Sequence, residues 1–217
     1  MSSPVSSLGG KPLRLVVMAK APLAGYAKTR LIPALGEQGA AVLAEKLLHH
    51  TLEECVRADL GPVELHVAPD SSHAYWQGFS MPRSVSLYGQ AQGNLGQRLW
   101  HATGNARALG QGLLLLGTDC PSLTVQRLHI AALGLQKSDA VMYPAKDGGY
   151  TLLGLKEVQA RLFEDIDWST EVVARQTLDR LWECGMSCQR LEALADIDEP
   201  DDLTFLPRAW QESALLG

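Results

Sequence analysis

The chain has 217 residues, of which 46% are hydrophobic, and this length and composition suit one α/β domain with a sizeable core. Its formal net charge of −5 argues against general nucleic-acid binding, because nucleic-acid-binding proteins present a basic face. No apolar run approaches the roughly 20 residues that a bilayer-spanning helix needs, so neither a nucleic-acid nor a membrane partner is predicted.

The amino-terminal segment differs in composition from the rest of the chain. Residues 1–12 are rich in Ser and Gly and lack an apolar signal core, so they are predicted to form a flexible tail. Residues 13–217 are predicted to form a single domain. The four cysteines make no C-x-x-C pair, a pattern typical of reduced thiols, and this predicts a cytoplasmic protein.

The first apolar run, Leu15–Ala19, is rich in branched residues and suits a strand buried on both faces of a parallel sheet. The chain then changes character, because Pro22 and Gly25 forbid a continuous helix and favour an open loop. A loop at the carboxyl end of a sheet strand is where open α/β folds bind ligands.

Three cations, Lys20, Lys28 and Arg30, belong to this loop, and no carboxylate within it offsets them. Because Lys and Arg form charge-assisted hydrogen bonds with phosphate or carboxylate, the loop is predicted to bind an anion. It is not a P-loop, which needs Gly before Lys-Thr where this chain has Ala27, and no G-x-G-x-x-G occurs. A solvated charge run is the alternative, although such runs usually mix both signs.

The next segments alternate between helical and extended patterns. A helix is predicted over Gly36–Ala58 and strands over Val63–Ala68 and Ser84–Tyr88. A short capped turn of helix is predicted over Asp70–Trp76, between the two strands.

A glycine-rich loop, Gly89–Gly96, leads into a helix predicted from Leu95 to Leu109. A helix N-terminus presented by such a loop is in principle an anion or nucleotide site. An ordinary strand-to-helix connection is the favoured alternative for the loop taken alone. Arg98, in the first turn of the helix, is placed to point back at the loop.

The most apolar run of the chain, Leu113–Leu116, is predicted to be the central strand. Asp119 follows it, and a carboxylate there is costly to bury unless it is paired or bound to a metal. Asp119 is therefore the best single candidate for a metal ligand. Its alternative role, a helix N-cap, suits Thr124 better, because Thr124 directly precedes the helix predicted over Val125–Leu135.

A buried strand over Ala140–Ala145 and another over Thr151–Leu155 flank the segment Asp147–Tyr150. The two glycines of that segment permit close approach of a ligand or of another backbone, and a tight hairpin-like turn is the alternative. A helix is predicted over Thr170–Cys184, with Ser169 or the first helical residue as N-cap.

A last short strand, Ser187–Leu191, precedes a strongly acidic segment. Asp201 and Asp202 fall in the first turn after a proline, where the helix dipole explains them. Asp196 and Asp198 precede that turn, and alternate residues of an extended segment face one side. These two carboxylates are therefore candidates to ligate one site together.

Strands alternate with helices throughout the chain. This order predicts an α/β fold, a three-layer α/β/α sandwich around a mixed, mainly parallel sheet.

Five motifs taken together resemble one bacterial family: KAPLAGYAKTRL, GTDCPSL, DGGYTLLGL, WSTE and DIDEPDDL. It is the DUF2064 type of transferase family, with the glycosyltransferase-A-like fold of nucleotide-diphospho-sugar transferases. The family is similar to phospholactate guanylyltransferase and molybdenum cofactor guanylyltransferase. The resemblance spans about Leu13–Leu206. Two departures stand out: Pro-Leu-Ala-Gly replaces an Arg-Met-Gly-type loop, and no second Asp follows Asp119 as in Asp-x-Asp.

The resemblance implies roles for individual residues. The basic loop and the glycine-rich loop would bind nucleotide through Lys20, Ala21, Pro22, Gly25, Lys28, Thr29, Arg30, Gly93 and Arg98. Catalysis would fall to Lys28, Arg30 and Asp119. A Mg²⁺ or Mn²⁺ ion would be held by Asp119, Asp196 and Asp198. The acceptor or sugar is predicted to contact Asp147, Gly148, Gly149, Tyr150, Ser169 and Thr170.

The leading hypothesis is a metal-dependent nucleotidyltransferase, in which a phosphorylated acceptor attacks the α-phosphate of an NTP and pyrophosphate leaves. One alternative is a glycosyltransferase that uses an NDP-sugar donor. Another is a non-catalytic nucleotide-binding protein, because a fold does not fix a function. The expected partners are a nucleotide and a small acceptor, and the sequence leaves the base, the acceptor and the oligomeric state open.

Overall fold

The chain folds around one large β-sheet in the computed structural model, which describes residues 7–8 and 11–214. The strands are β1 (Ser7–Leu8), β2 (Lys11–Pro12), β3 (Arg14–Lys20), β4 (Val63–Ala68), β5 (Val85–Gly89), β6 (Leu113–Leu116), β7 (Ala140–Pro144), β8 (Tyr150–Leu155) and β9 (Cys188–Arg190). The seven from β3 onward form one sheet in the spatial order β5-β4-β3-β6-β8-β7-β9. Every neighbouring pair is parallel except the two pairs that β8 makes.

The helices lie in the connections between these strands. They are α1 (Ile32–Ala58), α2 (Ala74–Gly78), α3 (Leu95–Ala102), α4 (Gly104–Leu109), α5 (Val125–Lys137), α6 (Val173–Glu183) and α7 (Arg208–Ala214). Short 3₁₀ turns cover Thr29–Leu31, Ala160–Phe163 and Pro200–Phe205.

The sheet is covered on both faces because successive residues of a strand point to opposite sides. In β3, Leu15 and Val17 belong to a core cluster shared with α1 and α5, while Val16 belongs to a second cluster shared with α3, α4 and α6. Leu114 of β6 likewise packs in the first cluster and Leu115 in the second. The predicted three-layer α/β/α sandwich with a mixed, mainly parallel sheet is therefore confirmed.

The apolar run Leu113–Leu116 does form the central strand, with three strands on each side of it. Its neighbour on one side is β8, which returns directly from β7 as an antiparallel hairpin. The turn at Asp147–Tyr150 is thus the hairpin connection that the sequence offered as an alternative, and its glycines serve a strand reversal.

Several predicted helix boundaries were wrong, and local backbone geometry explains each of them. Helix α1 begins at Ile32, four residues early, and continues through a kink at Gly36, whose φ of 70° is not helical. The helix predicted over residues 95–109 is two helices, α3 and α4, because the Thr103 hydroxyl donates back to the carbonyl of Trp100 at 2.7 Å. Helix α6 begins only at Val173, since Ser169 has a positive φ of 66°.

Thr124 occupies the predicted N-cap position of α5, with an extended backbone, but it does not cap the helix through its hydroxyl. Instead the backbone N–H of Val125 donates to Oε2 of Glu54 at 2.6 Å. Glu54 is a buried residue of α1, so one helix caps another across the core.

A buried ionic cluster joins the beginnings of β3 and β4. Glu64, only 1% exposed, accepts hydrogen bonds from Arg14 at 2.5 Å and from Asn105 at 2.8 Å, and its other oxygen lies 3.1 Å from Nε2 of His66. Arg14 also donates to the side chain of Gln111. Each buried charge thus has a partner, as burial requires.

The predicted tail, residues 1–12, falls mostly outside the described residues. Of its described parts, β1 pairs antiparallel with β2. Its flexibility stays a prediction. Within the described part of the chain, no helix is both long enough and apolar enough to cross a membrane. Cys55, Cys120, Cys184 and Cys188 are free thiols.

Candidate functional site

A cleft of about 710 Å³ opens at the edge of the sheet where the parallel strands end. It lies above the neighbouring strands β3 and β6. Their connections run in opposite directions along the sheet, through α1 to β4 and through α5 to β7, while both helices pack on the same face. Open α/β folds bind ligands at such a switch point. The cleft is lined by the ends of both strands, the basic loop, the β7–β8 hairpin and the segment before α6.

Lys28 lies at the centre of the basic-loop side of this cleft. Its side chain is 6% exposed, and Nζ lies 2.5 Å from Oδ1 of Asp119 and 2.8 Å from Oδ1 of Asp198. The same ammonium donates to the backbone carbonyl of Ile197 at 2.6 Å. Burial lowers the pKa of Lys28, but the charges of Asp119 and Asp198 and their hydrogen bonds outweigh it, so that the pKa is raised overall.

The acidic segment near the end of the chain meets the loop after β6 at this point. The backbone N–H of Ile197 donates to the carbonyl of Asp119 at 2.9 Å, which fixes the two segments together. The side chains of Asp119 and Asp198 remain 45% and 41% exposed. Each carboxylate therefore keeps surface that a ligand can reach while it pairs with Lys28.

Asp196 belongs to the same region but not to the Lys28 contacts. Burial, together with the negative charges of Asp147, Asp198 and Asp119, raises the pKa of its carboxyl to about 6. In the part of the chain that the structure describes, no three acidic, His or Cys side chains are grouped closely enough to hold a metal ion. The structure thus brings Asp119 and Asp198 to one cation, and a ligand role for Asp196 stays a prediction.

The remaining predicted cations also line the cleft. Lys20 lies over the ring of Tyr26, with 5.1 Å from Nζ to the ring centroid. Arg30 is largely exposed and lies 3.5 Å from Glu199. Arg98 donates from Nε to the carbonyl of Gly93 at 2.9 Å, so it does point back at the glycine-rich loop.

Some predicted nucleotide-binding residues do not line the cleft. Thr29 lines the cleft, whereas Ala21, Pro22, Gly25 and Gly93 are not among its lining residues. Ala21 is fully buried, and its N–H donates to the carbonyl of Ala68, which continues the β3–β4 ladder. These positions shape the two loops, and their contact with nucleotide stays a prediction.

The opposite wall of the cleft contains five of the six predicted acceptor contacts: Asp147, Gly149, Tyr150, Ser169 and Thr170. These residues therefore share a cleft with Asp119. Gly148 is turned away from it. Its carbonyl accepts the N–H of Ala174 at 2.9 Å, and a Cβ added at Gly148 would lie 2.0 Å from the carbonyl oxygen of Glu171.

Among the lining residues that the sequence did not indicate as site residues, two make contacts that shape the cleft. Gln90 donates from its side-chain amide to the carbonyls of Ala19 and His66, at 3.1 and 3.0 Å, and so ties the ends of β3 and β4. Trp168 packs against Gly96, where an added Cβ would lie 2.8 Å from the indole nitrogen. Trp168 belongs to the WSTE motif, which was a signal that could have found it; Gln90 offers none.

A family model described as "Uncharacterized protein conserved in bacteria (DUF2064)" matches residues 51–170, more than half of the chain. None of the curated proteins matches. A solved structure from Desulfovibrio desulfuricans G20, assigned to the nucleotide-diphospho-sugar transferases, is 26% identical with a TM-score of 0.83. The match covers 92% of this chain and 88% of that one.

Two more distant structures share the fold. A 4-diphosphocytidyl-2C-methyl-D-erythritol synthase from Anaerococcus prevotii DSM 20548 is 11% identical with a TM-score of 0.61, and the match covers 93% of this chain and 99% of that one. Rv0371c from Mycobacterium tuberculosis H37Rv, in complex with manganese, is 15% identical with a TM-score of 0.53, over 89% and 97% of the two chains.

Proposed function

The chain belongs to the DUF2064 family of bacterial proteins, and from that premise we propose that it is a metal-dependent transferase acting on a nucleotide. The observation that supports this most strongly is the composition of one cleft. Lys20, Lys28, Arg30 and Arg98 line it together with the carboxylates of Asp119 and Asp198. A site for phosphates and a site for a cation therefore adjoin at the switch point of the sheet.

The proposed reaction is nucleotidyl transfer to a phosphorylated acceptor. An acceptor oxygen forms a bond to the α-phosphorus of an NTP, and the bond between that phosphorus and the departing pyrophosphate breaks. Such chemistry needs positioning and charge neutralisation more than covalent help. Lys28 and Arg30 would stabilise the departing pyrophosphate. Lys20 and Arg98 would hold the α-phosphate and the phosphate of the acceptor.

The donor set of the cleft fits a Mg²⁺ or Mn²⁺ ion through two carboxylates. Two carboxylates, Asp119 and Asp198, face one cation position that the Lys28 ammonium now marks. Mg²⁺ is usually bound by one or two carboxylates, with water and substrate phosphates completing the shell, so this pair suffices chemically. When bound, the ion would neutralise charge on the reacting phosphate. Asp196 would be a third ligand of that ion.

A second candidate, transfer of a sugar from an NDP-sugar, is favoured by the wall opposite the basic loop. Among the lining residues that the β7–β8 hairpin and the segment before α6 contribute, none is Lys or Arg. The first N–H groups of α6 are already used, since Val173 donates to Thr170 and Ala174 to Gly148. An uncharged, hydroxyl-bearing group suits this wall, which offers the ring of Trp168 and the carboxylate of Asp147.

One screen separates these reactions. The protein is incubated with NTPs or NDP-sugars and candidate acceptors, and the release of pyrophosphate or of nucleoside diphosphate is measured. Nucleotidyl transfer predicts pyrophosphate, and glycosyl transfer predicts nucleoside diphosphate. Nucleotide binding without either product would contradict an enzymatic role.

The Asp119→Asn variant, assayed in the same screen, tests the proposed site. Turnover should fall by roughly 10²–10³-fold, as when one electrostatic group is removed from an active site. The melting temperature should change by no more than about 2 °C, because Asp119 is nearly half exposed and Lys28 keeps Asp198 and Ile197. Asp201→Asn, an exposed carboxylate outside the cleft lining, is the matched control. Full activity of Asp119→Asn, or of the parent protein in EDTA, would contradict the proposed metal-dependent site.

A further inference from the structure

We propose that the Lys28 ammonium is a resident counter-ion of the Asp119–Asp198 pair, which a divalent cation must replace, so that metal and nucleotide bind cooperatively. The proposal rests on the proposed function for the identity of the nucleotide phosphates. It adds an exchange of partners by one side chain, from two carboxylates in the free protein to phosphates in the complex.

The first argument is a count of hydrogen-bond donors. A lysine ammonium has three N–H donors. In the free protein three acceptors surround it: the carboxylates of Asp119 and Asp198 and the carbonyl of Ile197, all within 2.8 Å. Lys28 therefore has no donor left for a phosphate. It can serve the nucleotide only after it releases at least one of these partners.

The second argument is the position of the ammonium. A cation shared by Asp119 and Asp198 would lie between their carboxylates, where Nζ of Lys28 now lies. The ammonium and a metal ion cannot both occupy that position, because at so short a distance the repulsion between two positive charges is too strong for solvent to screen. A metal ion shared by both carboxylates and the present contacts of Lys28 therefore exclude each other.

The third argument is the backbone at Lys28. Its φ of 50° and ψ of 41° lie in the left-handed region, a backbone conformation that residues with a Cβ rarely adopt. Lys28 immediately precedes the 3₁₀ turn at Thr29–Leu31, and its carbonyl accepts the N–H of Leu31 at 2.9 Å. The ion pairs help to keep this conformation occupied. Once they are broken, the basic loop is free to relax towards an incoming phosphate.

Together these features predict the direction of coupling. Nucleotide phosphates give Lys28 a new anionic partner. When Lys28 moves to them, it leaves Asp119 and Asp198 free for the metal ion, which raises metal affinity. By linkage, metal bound to the carboxylates frees Lys28 and raises nucleotide affinity by the same factor. Metal alone should bind weakly, because it must displace a buried ion pair and gains no phosphate ligand in return.

The test measures Mn²⁺ affinity by electron paramagnetic resonance, without nucleotide, in the parent protein and in Lys28→Met. Met keeps the aliphatic stem of the side chain and removes the charge. We expect Lys28→Met to bind Mn²⁺ at least tenfold more tightly than the parent. Lys137→Met removes an exposed cation that does not line the cleft, and it should leave Mn²⁺ affinity within twofold. Equal or weaker Mn²⁺ binding by Lys28→Met would overturn the proposal.

A second measurement needs no variant, and so does not depend on how Lys28→Met folds. Acetylation of Lys28 by acetic anhydride is followed by mass spectrometry in the parent protein. Its buried ion pairs should keep the modification slow, and saturating Mn²⁺ without nucleotide should accelerate it severalfold, with Lys20 as the internal control. No acceleration at saturating Mn²⁺ would overturn the exchange. Both measurements omit nucleotide, so the exchange can be refuted or supported even if the proposed transferase reaction fails its own screen.

Discussion

At the residue scale, charged side chains in this protein have two different roles. Arg14 and Glu64 are buried and hydrogen-bonded to each other far from the cleft, so their charges organise the start of the sheet. Lys28 is buried too, but its two carboxylate partners are open to solvent. An ion pair in which both partners are buried stabilises the fold. A buried cation whose carboxylate partners are exposed is able to exchange those partners for others.

The Glu64 cluster predicts a pH dependence of stability. Burial raises the pKa of Glu64, but hydrogen bonds from His66 and Asn105 and the charge of Arg14 outweigh it, so the pKa is lowered overall. A carboxyl with a lowered folded-state pKa contributes stability above its ordinary value of 4.5 and loses that contribution as the pH falls below it.

The free energy of unfolding of the parent protein should therefore exceed that of Glu64→Gln at pH 6, and the gap should narrow at pH 3.5. Urea denaturation followed by circular dichroism measures both. Glu53→Gln, which changes an exposed carboxylate of α1, is the control. Its free energy of unfolding should equal that of the parent protein at both pH values. A gap between parent and Glu64→Gln that stays constant with pH would contradict the assignment.

At the element scale, much of the architecture followed from hydrophobic pattern. The run Leu113–Leu116 predicted a central strand because four consecutive apolar residues suit burial on both faces. Asp119 was a candidate site residue because it comes shortly after that strand. Periodicity could not predict the break at Thr103 or the late start of α6, because both depend on single backbone and hydroxyl contacts.

Contacts between elements were the least predictable features. The salt bridge between Lys28 and Asp198 joins residues 170 positions apart, and no local pattern encodes such a pairing. The cap that Glu54 gives to α5 spans 71 positions for the same reason. The sequence therefore indicated which residue types lie near the site, and tertiary packing decided which of them pair.

The cap of α5 predicts a reversal of the usual N-cap rule. Glu54→Ala should lower the free energy of unfolding by about 1–2 kcal/mol, since it leaves the N–H of Val125 without its acceptor. Thr124→Ala should change it by less than about 0.5 kcal/mol, because the hydroxyl makes no capping bond. Urea unfolding measures both. If Thr124→Ala proved the more destabilising, the cap assignment would be refuted.

The contact between the β7–β8 hairpin and α6 predicts a cost at Gly148. Its φ is 93°, and an added Cβ would collide with the carbonyl of Glu171. Gly148→Ala should therefore lower stability by about 2–3 kcal/mol, since a strained backbone and an overpacked contact combine. Gly78→Ala, where the added Cβ meets nothing within 4 Å, should be neutral. Differential scanning calorimetry compares the two, and equal melting temperatures would disprove the contact's importance.

At the scale of the whole molecule, charge is distributed unevenly. The chain carries a net charge of −5, yet four cations line one cleft. A concave site with one prevailing sign on a wall attracts the opposite charge from solution and strengthens its binding. Phosphate-bearing ligands should therefore stabilise the whole fold when they bind.

Thermal shift measures this effect. A nucleotide present at a hundred times its dissociation constant stabilises the native state by about 2.7 kcal/mol, which for a chain of this size raises the melting temperature by roughly 5–10 °C. The shift should appear with nucleotide and Mg²⁺ together and be reduced in EDTA. The matching nucleoside, which lacks phosphates, is the control. A shift with the nucleoside as large as with the nucleotide would show that the phosphates contribute nothing.

The single reversed strand, β8, has an evolutionary consequence. Because β7 returns as a hairpin, the wall that it contributes to the cleft is a short turn, with no crossover helix behind it. The basic loop, by contrast, is anchored by β3, α1 and the Lys28 contacts. Insertions in the turn would leave the register of the sheet intact. On the proposed roles of the two walls, descendants of such a chain would change acceptor by drift at the hairpin and would keep the nucleotide-binding wall unchanged.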